Sequence, residues 1–127
     1  MIEMKRILII DDEEAILQMM NRLLTKANYF VVTASNGKEA EMILDKEDFD
    51  LVITDIIMPQ KEGMEMITML KVRKPDTKVI AMSGGGRFSP EGYLKSAEAL
   101  GADKTFVKPF FHKDMLYAVN ELIGESQ

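Results

Sequence analysis

Residues 51–63 contain the segment Leu51-Val52-Ile53-Thr54-Asp55-Ile56-Ile57-Met58-Pro59, and Gly63 follows four positions after the proline. Four residues that favour strands lead directly into Asp55, the proline prevents regular strand pairing, and the glycine opens the next predicted helix. This order predicts one carboxylate at the carboxyl end of a buried strand. Because open α/β sheets bind ligands at that edge, Asp55 is the leading candidate for a functional residue.

The rest of the chain repeats the same alternation of apolar strand and amphipathic helix. We predict strands over 5–10, 30–34, 50–55, 78–82 and 104–107, and helices over 13–27, 63–74 and 91–100, with another ending near Asp45 and a last one fraying at Gly124. Asn28 is a candidate left-handed helix stop, and Asn36 with Glu39 resembles a capping box. Alternating units predict a parallel sheet with helices on both faces, and the flavodoxin-like order 2-1-3-4-5 is the expected topology.

Composition limits the class of protein. The 127 residues suit one domain, which we expect to have its core over about 5–123 and no output domain. The net charge of −5 and a pI near 4.9 argue against direct nucleic-acid binding. The absence of cysteine excludes disulfides and thiolate sites and fits a cytoplasmic protein, and no apolar run has membrane length.

Each predicted strand delivers a polar residue to the same edge of the sheet. These residues are Asp11 and Asp12 after the first strand, Asp55 after the third, Ser83 after the fourth and Lys108 after the fifth. Clustered carboxylates repel one another unless cations intervene, so the set calls for Lys108 and a hard divalent ion such as Mg²⁺. A carboxylate beside Mg²⁺, a lysine and a hydroxyl can carry out phosphoryl transfer with Asp55 as nucleophile.

These motifs resemble the receiver domain of two-component response regulators over residues 5 to about 123. The resemblance rests on Asp11-Asp12, on Asp55 to Pro59 with Gly63, on Ser83, and on Lys108-Pro109-Phe110. It implies that Asp55 accepts phosphate from a phosphohistidine of a sensor kinase or phosphotransfer protein. It also implies that Asp11, Asp12, Asp55 and the Ile57 backbone carbonyl position Mg²⁺, with Mn²⁺ as a substitute, and that Ser83 and Lys108 contact the phosphoryl group. The peptide bond before Pro109 is expected to be cis.

One position departs from the family pattern. Receivers often carry an aromatic switch residue three positions before the lysine, where this chain has Thr105, and Phe106 one place later is expected on the opposite face of the strand. We therefore expect the conformational switch in the segment from Gly84 to Pro90, which includes Gly85 and Arg87, and in the helix after it. The face made by the fourth helix, the fifth strand and the fifth helix is expected to bind an output protein or a second copy.

Several alternatives remain open from the sequence. Asp11 and Asp12 could cap a helix, Glu13 and Glu14 are interpreted as surface residues that offset the helix dipole, and His112 as a surface or cap residue. A phosphatase of the haloacid-dehalogenase class would need an Asp-x-Asp pair, a flavin carrier would need a hydroxyl-rich loop after the first strand, and a receiver-like module could bind partners without phosphorylation. Because apolar Ile57 cannot orient an attacking water, we expect a long-lived acyl phosphate.

Overall fold

The computed structural model describes residues 4–56, 62–84 and 90–124, and five strands alternate with five helices along the chain. The elements are β1 (Arg6–Ile10), α1 (Glu14–Lys26), β2 (Phe30–Ala34), α2 (Gly37–Lys46), β3 (Leu51–Asp55), α3 (Glu62–Arg73), β4 (Lys78–Ser83), α4 (Pro90–Leu100), β5 (Lys104–Val107) and α5 (His112–Ile123). The predicted alternation is confirmed, with element ends shifted by a residue or two from the predicted bounds.

The strands form one parallel sheet in the order β2-β1-β3-β4-β5, as predicted. The central strand β3 pairs with β1 on one side and β4 on the other, with Ile53 opposite both Ile9 and Ile80. All five residues of β3 are buried, which explains why its sequence is apolar without alternation up to Thr54 and Asp55. Since all strands run the same way, their carboxyl ends lie along one edge of the sheet.

Two hydrophobic layers cover the two faces of this sheet. One layer joins alternate strand residues such as Leu8 and Val52 to side chains of α2, α3 and α4. The other joins the intervening residues, such as Ile7 and Ile53, to α1 and α5. Each strand residue therefore contributes to one layer only, and the polar residues that end the strands are held by a sheet packed on both sides.

Local signals at the helix ends act as the sequence indicates. Asn28 has a φ of 71° after α1, the left-handed conformation expected of a helix stop. Asn36 precedes α2, and its side-chain oxygen accepts a hydrogen bond from the Glu39 N–H at 2.8 Å. In a capping box the Glu39 side chain would accept a hydrogen bond from the Asn36 N–H; here the Glu39 carboxylate accepts one from the Ser35 hydroxyl. Over the described ranges, the chain contains no helix with the length and apolarity that crossing a bilayer requires.

Candidate functional site

Three carboxylates converge where β1 and β3 end side by side. Asp11 and Asp12 follow β1 and Asp55 ends β3, and one oxygen from each lies within 4.8 Å of the others. Asp11 is fully buried and Asp55 is 3% exposed, whereas Asp12 is exposed. Two buried carboxylates at such short range are costly unless positive charge balances them, so their convergence marks a functional site.

Lys108, which follows β5, supplies positive charge to this cluster. Its Nζ donates to Asp11 Oδ2 at 2.7 Å and to Asp55 Oδ2 at 2.8 Å, and the lysine side chain is only 8% exposed. The backbone N–H of Lys108 donates to the Ser83 carbonyl at 2.9 Å, which fixes the loop after β5 to the end of β4. The Lys108–Pro109 peptide bond is cis, as expected.

The protonation states of Asp11 and Lys108 follow from their burial and from the hydrogen bonds that they make. Burial raises the pKa of Asp11 to about 6, against the opposing effects of the hydrogen bond from Lys108 and the backbone bond from the Glu13 N–H. Burial alone would lower the pKa of Lys108, but its hydrogen bonds to Asp11 and Asp55 raise that pKa above its ordinary value. The lysine is therefore a permanent cation, while Asp11 is mostly ionised at pH 7 and takes up a proton as the pH falls through 6.

The Ser83 hydroxyl points to a ligand in the same site. Ser83 ends β4 fully buried, and its Oγ has no hydrogen-bond partner among the residues that the structure describes. A buried hydroxyl without a partner is uncommon in native proteins, and one next to a charged cluster is typical of a group that serves a bound molecule. Its neighbour Gly84 lets the Lys108 stem pass, since a Cβ there would lie 2.8 Å from Lys108 Cδ.

Gly63 is required by a backbone contact beneath the site. A Cβ at this position would lie 2.3 Å from the Asp55 carbonyl oxygen and 2.4 Å from Ile56 Cα. Because both neighbours are backbone atoms, neither can move aside without displacing Asp55 itself. The glycine that opens α3 in the sequence is therefore also what lets the helix pack directly behind the candidate nucleophile.

The donor set fits a hard divalent cation. Three carboxylate oxygens from Asp11, Asp12 and Asp55 offer oxygen ligands only, and one partly exposed side leaves room for water and for a substrate oxygen. The charge also fits, because Lys108 alone offsets only one of the three negative charges when all three are ionised. Ile57, whose carbonyl was predicted as a further ligand, lies outside the described residues.

Comparison with known proteins agrees with this geometry. Residues 7–120 match the family described as "Response regulator receiver domain". The chain belongs to this family. It is a receiver domain, the phosphorylation-controlled signalling switch of two-component systems, and receiver domains interact with histidine kinases or phosphotransfer proteins.

Two curated relatives of similar length match the receiver domain over nearly all of its residues. This chain is 30% identical to the response regulator receiver protein CpdR of Brucella abortus, over 94% of this chain and 98% of that protein. It is 32% identical to sporulation initiation phosphotransferase F of Bacillus subtilis, over 94% of each chain. By contrast, it covers 50% of the transcriptional regulatory protein PhoP of Bacillus subtilis, at 30% identity.

Solved structures share the fold. A CheY-like receiver domain protein of Methanospirillum hungatei superposes with a TM-score of 0.85 at 30% identity, over 94% of this chain and 93% of that chain. The response regulator TrrA of Thermotoga maritima, solved in complex with Mg²⁺-BeF, has a TM-score of 0.80 at 34% identity, over 94% and 99% of the two chains.

In the receiver domain the side chains of Thr105 and Phe106 lie on opposite faces of β5, as the sequence predicts. Phe106 packs with the α1 and α5 layer and meets Phe110 edge-on, with ring centroids 5.5 Å apart. Thr105 pairs with Ala81, a residue of the opposite layer, so the two side chains lie on different faces of β5. Gly84 lies beside Lys108, whereas Gly85 and Arg87 fall outside the described residues.

One contact in the receiver domain is missing from the sequence prediction. Glu13, interpreted as a surface residue that offsets the helix dipole, is exposed but also places Oε1 3.4 Å from Lys108 Nζ. Its position directly after Asp11-Asp12 was the available signal, but spacing could not distinguish it from Glu14. His112 is exposed at the first residue of α5, in agreement with the surface interpretation.

Proposed function

We propose that Asp55 is the phosphoacceptor of this receiver domain and takes its phosphoryl group from a phosphohistidine on a sensor histidine kinase or a phosphotransfer protein. The observation that carries the proposal is the Asp55 carboxylate at the end of the central strand, 3% exposed and 2.8 Å from the Lys108 ammonium. A nucleophile at this place is fixed by the sheet and is held beside the cation that its reaction requires.

The transfer needs one bond to form and one to break. An Asp55 Oδ attacks phosphorus, the P–N bond to the donor imidazole breaks, and its electron pair stays on the nitrogen. As the new P–O bond forms, the Lys108 ammonium shifts from the Asp55 oxygen that it holds to a phosphoryl oxygen that carries the same charge. The Ser83 hydroxyl, which has no hydrogen-bond partner among the described residues, then donates to a second phosphoryl oxygen.

Mg²⁺, or Mn²⁺ in its place, would be held by Asp11, Asp12, Asp55 and the Ile57 carbonyl and would neutralise charge on the transferring oxygens. The structure of the Thermotoga relative with Mg²⁺-BeF supports this choice of ion. The Asp11 carboxyl, with its pKa raised by burial to about 6, is deprotonated at neutral pH and so is available as a ligand.

The test is intact mass after incubation with acetyl phosphate, with and without Mg²⁺. Wild type should gain one phosphoryl group only when Mg²⁺ is present, and Asp55→Asn should gain none. Asp76→Asn is the matched control, because Asp76 is an exposed aspartate in the turn before β4. Labelling of Asp55→Asn would refute the assignment. An unlabelled wild type that still binds a partner protein would instead favour a module that acts without phosphorylation.

The output surface is proposed to be the α4-β5-α5 face. Each of its elements carries an exposed large apolar residue, Leu100 at 40%, Val107 at 42% and Tyr117 at 70%. Phosphorylation would alter this face through the segment that begins at Gly84 and would change its affinity for an output protein or a second copy. Light scattering with and without beryllofluoride tests the second possibility, and an unchanged mass in both states would leave the output protein as the partner.

A further inference from the structure

Glu13 occupies a helix-capping position but does not cap the helix. It is the residue before α1, with extended backbone, and its carbonyl accepts the N–H groups of Ile16 and Leu17. Its side chain makes no capping hydrogen bond, although Asn36 at the same position before α2 does. The Glu13 carboxylate instead has an ion-pair partner away from the helix N-terminus, although negative charge is favoured at that end.

That partner is Lys108 in the phosphorylation site. Glu13 Oε1 lies 3.4 Å from Lys108 Nζ, so the ammonium meets three carboxylates, those of Asp11, Asp55 and Glu13. The Glu13 N–H also donates to Asp11 Oδ1 at 2.9 Å, which anchors its backbone to the site. Its side chain is 62% exposed, whereas the side chains of the other two carboxylates are 0% and 5% exposed. Glu13 therefore lies at the open mouth of the site.

We propose that Glu13 is a specificity-determining residue that slows phosphorylation by small, doubly charged phosphodonors. The inference rests on the proposed function of Asp55. A free dianion such as acetyl phosphate must pass the Glu13 carboxylate to enter the site. Its phosphoryl oxygens must also compete with this carboxylate for the Lys108 ammonium. A donor that carries one negative charge less meets about half of that repulsion, so Glu13 discriminates among donors by charge.

The reaction itself is unchanged by this residue. With acetyl phosphate, an Asp55 Oδ attacks phosphorus, the P–O bond to the acetyl group breaks and acetate leaves with the electron pair. Glu13 touches neither bond; it sets the charge that the donor meets and the share of the Lys108 ammonium that is available to the phosphoryl oxygens. Because the Glu13 side chain is largely exposed, salt should screen its effect, with a Debye length of about 10 Å at 0.1 M and about 3 Å at 1 M.

The experiment compares wild type, Glu13→Gln and Glu14→Gln by time-resolved intact mass at saturating Mg²⁺ and pH 7. Glu14→Gln is the matched control, because Glu14 is the next residue, is exposed, and bonds with Gln18 at 3.5 Å. Each variant loses one negative charge at nearly the same place. The two donors are acetyl phosphate, a dianion, and phosphoramidate, which carries a single net negative charge at this pH. Each rate is measured at low salt and at 1 M salt.

Glu13→Gln should react with acetyl phosphate about three- to tenfold faster than wild type at low salt, and with phosphoramidate less than twofold faster. The gain should largely disappear at 1 M salt. Equal acceleration by Glu14→Gln, equal acceleration with both donors, or no acceleration would overturn the role of Glu13 while leaving Asp55 as acceptor. Failure of wild type to label with either donor would instead overturn the proposed function together with this inference.

Discussion

Replacing Lys108 by methionine isolates the charge balance of the site, because methionine keeps most of the aliphatic volume and removes the ammonium. The change leaves Asp11 and Asp55 facing each other without the cation that contacts both, at 2.7 and 2.8 Å. Removing one partner of a buried ion pair typically costs about 3–5 kcal/mol of stability. The loss has a ceiling, because Asp11 can take up a proton instead of remaining charged.

That ceiling depends on pH. In the wild type, burial raises the pKa of Asp11 to about 6, so protonating this carboxyl costs about 1.4 kcal/mol at pH 7 and nothing at pH 5, and that cost limits the loss that acts through Asp11. At pH 5 Asp11 is therefore mostly protonated in the wild type, and Lys108 no longer balances a charge on this carboxyl. The contribution of Lys108 to stability through Asp11 is present above pH 6 and is lost as the pH falls through 6. We expect Lys108→Met to lose about 3 kcal/mol at pH 7 and about 1.5 kcal/mol at pH 5.

Urea unfolding in EDTA at pH 5, 6 and 7 measures this difference, and Lys104→Met serves as the control. Lys104 pairs with Glu121 at the surface, where the two side chains are 35% and 45% exposed. Replacing Lys104 should therefore change stability little and without a trend between pH 5 and pH 7. Added Mg²⁺ should stabilise Lys108→Met more than wild type. Equal losses for Lys108→Met at pH 5 and pH 7, or a loss no larger than that of Lys104→Met, would refute the electrostatic argument.

Two further predictions follow from the described contacts, and a third tests the proposed switch segment. Gly63→Ala should lose about 2–3 kcal/mol in urea unfolding, because its Cβ would meet the backbone of Asp55 and Ile56. Gly92→Ala in α4 should lose none, because a Cβ there meets no atom of the described residues within 4 Å. The dissociation constant for Mg²⁺, measured by calorimetry, should rise about tenfold from pH 7 to pH 5, because Asp11 with a pKa near 6 must lose its proton to bind; a constant affinity would exclude Asp11 as a ligand. Beryllofluoride should change amide exchange within residues 84–100, and unchanged exchange there would locate the switch elsewhere.

The sequence was sufficient to predict the architecture and the set of residues at one edge of the sheet. Uninterrupted apolar runs specify strands buried on both faces, and helical periodicity between them forces parallel strands joined by crossovers. Under that constraint Asp11, Asp55, Ser83 and Lys108 must share an edge, because each directly follows or ends a strand. The facing of Thr105 and Phe106 was predictable for a similar reason, since side chains alternate along a strand.

The close contacts within the site depended on the tertiary structure. Glu13 and Lys108 are 95 residues apart in the chain, and nothing in their spacing separates Glu13 from Glu14. The Ser83 hydroxyl, without a partner in the described part of the chain, and the passage of the Lys108 stem over Gly84 also depend on how the loops after β4 and β5 meet. Periodicity fixes the face and the end of an element on which a residue lies. Which atoms touch is decided by side-chain rotamers and by loop packing, which act through space between segments distant in the sequence.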